Sequence, residues 1–145
     1  MVKNLQVYSQ ESDINKKSVH SLISSLKKEF KLEIDFLSIS FISSKALREI
    51  NKTYLKHDYE TDIVTFNYSK SDKLIDGEIL ISYEEAKFNA KKFNTPYGKE
   101  LTRLVIHGML HLLNFDDQDS KSKKIMKKEE NNLINKFNFA LFAGK

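Results

Sequence analysis

Residues 97–117 read YGKELTRLVIHGMLHLLNFDD, and this stretch decides how the rest of the chain must fold. Leu101, Leu104, Val105, Ile106, Met109, Leu110, Leu112 and Leu113 point to nearly every side of a helix over 97–113. A helix that is apolar all round is a buried helix, so other elements must cover it on several sides. At about 100° per residue, however, Glu100, Arg103, His107 and His111 fall in one narrow stripe, with Gly108 near its edge. A buried helix therefore carries one polar line, and two imidazoles lie on it a turn apart.

The covering elements can be read on either side. Leu5 and Val7 lie in a short first strand. Asp13 can cap a helix to about Phe30, whose Val19, Leu22, Ile23, Leu26 and Phe30 repeat at helical spacing. Residues 34–42, IDFLSISFI, alternate as a strand with one polar face. Ser43 or Ser44 caps a second helix with Leu47, Ile50 and Tyr54 inward. Residues 62–68 and 78–83 are β-rich, and the polar SKSDKLIDG between them reads as a loop. Ser82 and Glu85 make a capping box for a helix over 83–94. Thr95 can cap the central helix, with Pro96 in its first turn. A last helix covers 120–136. The order β α β α β β α α α gives an α+β fold in a single domain, 1–145. One mixed sheet of about four strands packs with about five helices, and the HxxxH helix is buried at its centre.

The chain has 145 residues, and 40% of them are apolar, enough for a real core and too many for a disordered chain. No apolar run approaches the roughly 20 residues of a membrane helix, and MVKNLQVYSQ lacks the apolar stretch of a secretory signal. A cytoplasmic protein with no membrane partner is the expectation. Cysteine is absent, which excludes disulfides, a thiolate nucleophile and a cysteine zinc site. Any metal must be held by imidazole and carboxylate.

His107 and His111, at i and i+4, can aim one ring nitrogen each at a single ion. Asn114 suits the left-handed position that ends a helix, so the residues after it double back toward the pair. Asp117 follows His111 by six residues, the interval of the third ligand in H-E-x-x-H-x-x-G-x-x-H zinc sites. His107, His111 and Asp117 would leave one position open, as catalytic zinc sites do. Asp116 is adjacent and competes for the role. The blander alternative is a satisfied pair of core histidines. The residue after the first histidine is Gly108, where a zincin peptidase has its glutamate base; its small size leaves room beside the ion for a bulky substrate.

HGMLHLLNFDD (107–117) resembles the H-G-x-L-H-L-x-G-Y-D-H motif of the YbeY family of endoribonucleases, or rRNA maturation factors. INKTYLKHDYETDIVTF (50–66) is similar to the family's L-N-x-x-Y-R-x-x-D-x-P-T-D-V-L-S-F, Gly77-Glu78-Ile79 to its G-D-I, and Met126 and Glu129 fit its last helix. The resemblance covers roughly residues 45–135. It implies a zinc-dependent, single-strand-specific endoribonuclease with one ion per chain, other divalent metals being acceptable. The implied setting is 16S rRNA 3′-end maturation and ribosome assembly and quality control, with single-stranded RNA, rRNA and the small ribosomal subunit as partners.

Two departures stand out. The family's third histidine is Asp117 here, which lowers the net charge on a bound ion. The family's arginine after tyrosine is Leu55, and Lys56, His57 and Arg103 are the candidates to supply a cation instead. Arg103 has a competing use as an ion-pair partner of Glu100 at i, i−3. The expected catalytic residues are His107 and His111, with Arg103 and Lys56 as supporting cations. For a general base, Asp62, Glu78 and Asp116 all stay open; Asp62 is as readily a strand-start cap and Glu78 an exposed strand carboxylate. His20 and His57 read as solvent-facing.

The net charge of +4 comes from 22 Lys, 2 Arg and 20 acidic residues. No lysine lies between Lys99 and Lys121, and Lys121, Lys123, Lys124, Lys127 and Lys128 crowd the start of the last helix. That cluster is either a solvated helix face or a landing surface for RNA phosphates. Two further functions stay open: a metallohydrolase for a peptide or amide, and a non-catalytic, metal-stabilised ribosome-assembly factor.

Overall fold

The structure is a computed structural model that describes residues 1–56, 61–115, 118–137 and 141. Its elements are β1 (Leu5–Ser9), α1 (Lys16–Phe30), β2 (Glu33–Ile42), α2 (Ser44–Leu55), β3 (Ile63–Asn67), β4 (Leu74–Ser82), α3 (Tyr83–Lys92), α4 (Tyr97–Leu112) and α5 (Ser120–Lys136). The four strands form one open mixed sheet in the order β1-β2-β4-β3. β2 pairs in parallel with β1 and β4, and β3 closes one edge antiparallel to β4. The fold is α+β, as the order of elements predicts.

The alternation of β2 sends Leu37, Ile39 and Phe41 into the main core, while Ser38 and Ser40 line the opposite face. The same core face takes Ile75, Ile79 and Ile81 from β4, Leu22 and Leu26 from α1, and Leu101, Leu104 and Leu110 from α4. Fully burying each such side chain contributes about 1.5–3 kcal/mol. A smaller cluster of Ile42, Leu47, Val64 and Leu80 lies beneath α2 on the other face.

α4 is central because it packs on β3 and β4 with one side and on α3 and α5 with others. Two glycines permit the approach. A Cβ on Gly108 would stand 2.8 Å from the Ile79 side chain and 3.2 Å from Ile63. One on Gly77 would meet the Phe66 carbonyl oxygen at 2.5 Å and the Leu112 side chain at 2.9 Å. Gly108 thus faces the sheet. Its smallness serves helix–sheet contact and opens no room for substrate, contrary to the expectation from sequence.

Several boundaries differ from expectation for identifiable reasons. Asn15, not Asp13, caps α1, accepting from the Ser18 amide at 3.1 Å, because the preceding Ile14 is drawn into the core. Ser43 caps α2 and Ser82 caps α3 as predicted. The N-cap of α4 is Pro96, which makes no side-chain bond; Thr95 instead donates its amide to the Ala90 carbonyl. Tyr54 is 69% exposed, not inward. The last turn of α2 reaches the edge strand, where Tyr54 meets Phe66 edge to face at 6.1 Å. β4 starts at Leu74, within the polar stretch read as loop, because Ile75 is fully buried and the strand continues its pairing with β2.

Candidate active site

The four stripe residues of α4 emerge between the core and α5, joined by a continuous set of polar contacts. Glu100 is 2% exposed, and a carboxylate in that position must be paired. Arg103 supplies the partner: Nε donates to Glu100 Oε1 at 2.9 Å and Nη2 to Glu100 Oε2. Its third contact is Nη1 to Glu130 Oε1, at 3.0 Å. Glu130, from the buried face of α5 and also 2% exposed, turns its other oxygen to His107 Nδ1 at 2.8 Å. His107 Nε2 in turn faces His111 Nε2 at 3.2 Å. At the far end Asn89 joins Glu100 at 3.5 Å to Asp62 at 3.1 Å.

This arrangement sets protonation. Hydrogen bonds from Arg103 to Glu100, foremost, hold the guanidinium more firmly charged than usual against the opposing effect of burial. Burial pushes the Glu130 carboxyl upward, but hydrogen bonds from His107 and Arg103 outweigh it and keep it below the ordinary carboxylate range. A carboxylate accepts, so the proton between it and His107 lies on Nδ1, and the ring turns its Nε2 toward His111. Two carboxylates against one guanidinium leave the cluster net negative, which suits a cation.

The donors fit zinc. Two ligands of a tetrahedral ion at about 2.0–2.1 Å stand roughly 3.3–3.4 Å apart, close to the 3.2 Å between the two Nε2 atoms. A carboxylate on the far nitrogen of a ligating histidine is a frequent support for such ions, and Glu130 is in that place. A third ligand is not among these groups. The described residues contain no set of three or more His, Asp or Glu placed to hold an ion. Asp117 and Asp116 lie outside the described residues, as does His57. Asn114 takes the left-handed position as predicted, at φ 70°, with its amide on the His111 carbonyl at 3.0 Å. The turn is tied to the β3–β4 connection by Asn114 Nδ2 on Asp72 at 2.9 Å, and to the end of β3 by Asn67 Nδ2 on the Leu112 carbonyl at 3.5 Å.

The remaining expected residues are dispersed. Lys56 closes α2 in the left-handed region at φ 58°, exposed, and no described contact joins it to the stripe. Glu78 accepts from the Tyr68 hydroxyl at 2.7 Å and points away from the face that α4 covers. That bond, with burial, pushes the Tyr68 hydroxyl up to about 12. Asp62 lies just before β3 and belongs to the stripe's network through Asn89. His20 is half-buried, not solvent-facing, and accepts the Val2 amide at 3.2 Å.

Glu130 is the residue that the sequence reading misses; the last-helix pattern singled out its neighbour Glu129. A signal was present. Met126, Glu130, Leu133 and Ile134 share one face of α5, and all four are buried. A carboxylate on the apolar face of a helix announces a buried cation or donor.

Comparison with known proteins identifies the family. The family model for "Endoribonuclease YbeY" matches residues 2–138. Endoribonuclease YbeY of Bacteroides fragilis is 38% identical over 122 residues, 84% of this chain and 87% of that protein. The Parabacteroides distasonis protein of the same name is 37% identical over 121 residues, 83% of this chain and 84% of its own length. In fold, the chain resembles the solution structure of TM1509 from Thermotoga maritima, with a TM-score of 0.66 and 24% identity over 92% of this chain and 88% of that one. With the family model spanning nearly the whole sequence and the histidine pair carried on a buried helix, this chain belongs to the YbeY endoribonuclease family.

Proposed function

We propose that this protein is a zinc-dependent endoribonuclease that cleaves single-stranded RNA. Its proposed setting is 16S rRNA 3′-end maturation and small-subunit assembly and quality control in the cytoplasm. The observation that carries the reading is the pair of facing Nε2 atoms 3.2 Å apart, one of them backed by a buried carboxylate. His107, His111 and Asp117 are the proposed ligands. Bound there, zinc would supply Lewis acidity toward a phosphoryl oxygen and make water a better nucleophile at neutral pH.

The chain's own residues have separable parts in this proposal. Glu130 holds the His107 proton on Nδ1 and so keeps Nε2 free as a donor atom. Arg103 is engaged by two carboxylates, so its charge is compensated and its part is positioning: it fixes Glu130 and through it the ring of His107. Lys56 is exposed, has no ion-pair partner among the described residues, and is the cation proposed to steady phosphoryl charge as cleavage proceeds. Asp62 is already hydrogen-bonded to Asn89, and we assign it no proton-transfer step.

Purified protein incubated with a 3′-extended 16S rRNA fragment tests the reading. Internal cuts confined to unpaired segments, lost on chelation and restored by zinc, are expected, while the same sequence in a duplex and casein stay intact. Casein hydrolysis would favour the peptidase alternative. Chelator-insensitive or absent cleavage, in a protein that zinc still stabilises, would favour the assembly-factor alternative.

A further inference from the structure

The N-terminal half of the α4 stripe does not end against solvent; it forms one wall of a groove of about 980 Å3 between α5 and the α3–α4 junction. Arg103 and Glu100 line it, so the groove begins one helical turn from His107, about 5–6 Å along α4. Its carboxylates are occupied. Glu100 is held by Arg103, and Asp62 accepts from Asn89. Its lysines are not. Lys99 from the first turn of α4, and Lys123 and Lys127 at i and i+4 on α5, have no ion-pair partner among the described residues.

Two other features share the groove. Phe93 is 65% exposed on its rim and belongs to neither core cluster. Lys92 Nζ stands over the ring, 5.4 Å from its centroid, yet the ring stays largely in water, and every base offers a face for it to stack on. Asn131 and Asn135, again one turn apart on α5, present amides that donate and accept at once. Ammonium groups with no ion-pair partner among the described residues, an exposed aromatic ring and bifunctional amides match the phosphate, face and edge of one nucleotide. Faces and edges are available together only in an unpaired strand.

We propose that this groove is a nucleotide subsite that holds the RNA strand next to the bond positioned at His107 and His111. Lys123, Lys127 and Lys99 take phosphates, Phe93 stacks a base, and Asn131 and Asn135 meet its edge. The proposal rests on the ribonuclease reading above. It also gives the α5 lysines a division of labour, since Lys124 and Lys128 do not line the groove.

The test is fluorescence anisotropy of a short labelled single-stranded RNA against the full chain at several salt concentrations, with RNA integrity checked on a gel. Lys123→Glu with Lys127→Glu should weaken binding at least about tenfold more than Lys124→Glu with Lys128→Glu, which makes the same charge change outside the groove. The slope of log affinity against log salt should fall by about 1.4, the share of two phosphate contacts on a single strand. Phe93→Ala should weaken binding about tenfold and leave that slope unchanged. All variants are surface changes and should melt with the wild type. If the wild type binds and cleaves RNA while both lysine pairs weaken binding alike, or Phe93→Ala binds normally, the subsite is wrong and the nuclease reading stands. If the wild type neither binds nor cleaves single-stranded RNA, both fall.

Discussion

The two halves of the α4 stripe are built from neighbouring turns of one helix and differ in how their side chains are engaged. In the first half, Glu100 and Arg103 consume each other, and the guanidinium has contacts on three of its nitrogens. In the second, His107 and His111 turn Nε2 toward Nε2, an arrangement in which at most one of the two can donate to the other. The first half is closed chemistry that fixes a geometry; the second is the open half only in the proposed reading, as the place where a cation would bind. Glu130 belongs to both, with one oxygen on each. Structural and reactive groups can thus sit a turn apart when a single buried carboxylate separates their duties.

Substitutions on the two sides should break this contrast in opposite ways. His111→Ala touches the open half. RNA cleavage should fall by at least about a hundredfold, as expected for loss of a ligand that supports metal chemistry, while urea denaturation shifts little. Arg103→Met touches the closed half and leaves Glu100 and Glu130 buried without their counter-charge. Removing one partner of a buried pair costs about 3–5 kcal/mol, and the same urea titration should show it. If Arg103→Met were as stable as the wild type, the closed half would not be structural.

Glu130→Gln sharpens the comparison, because the amide oxygen can still accept from His107 while the charge is lost to Arg103. Zinc affinity, read by competition with a chromophoric chelator, should drop about 10–100-fold. Stability should fall by less than it does for Arg103→Met. An unchanged zinc affinity would show that Glu130 serves only the closed half. The smallest effect lies far from the stripe. Burial, and then the positive N-terminus, lower the His20 pKa below its ordinary 6.5. The folded state therefore binds a proton at His20 less readily than the unfolded chain, so stability contributed by the neutral ring is present above pH 6.5 and lost as pH falls through that value. His20→Gln should flatten the stability profile in that window.

What was legible in the sequence follows a physical division. Periodicity located α4, and simple angular geometry placed Glu100, Arg103, His107 and His111 on one line, because both depend only on the helix itself. Asn114 was legible as the turn because a left-handed residue after a helix has few alternatives. Gly108 was misread because a missing side chain does not reveal which neighbour needs the space; here it is Ile79 across the helix–sheet contact. Glu130 was missed because its partners come from another helix, 23 and 27 residues away in the chain. Tyr54 was misplaced because its helical phase is correct for burial, but the sheet ends beneath it. Periodicity states a direction; only the assembled fold states whether anything lies there.

The central claim is that the histidine pair on α4 is a metal site on which RNA cleavage depends. The most direct measurement is zinc stoichiometry by elemental analysis, paired with single-stranded RNA cleavage, on the same preparations of wild type and His107→Ala. The account predicts one zinc per wild-type chain and cleavage in proportion to it, with both lost together in a folded His107→Ala protein. Cleavage that persists in His107→Ala after its zinc is gone would contradict it.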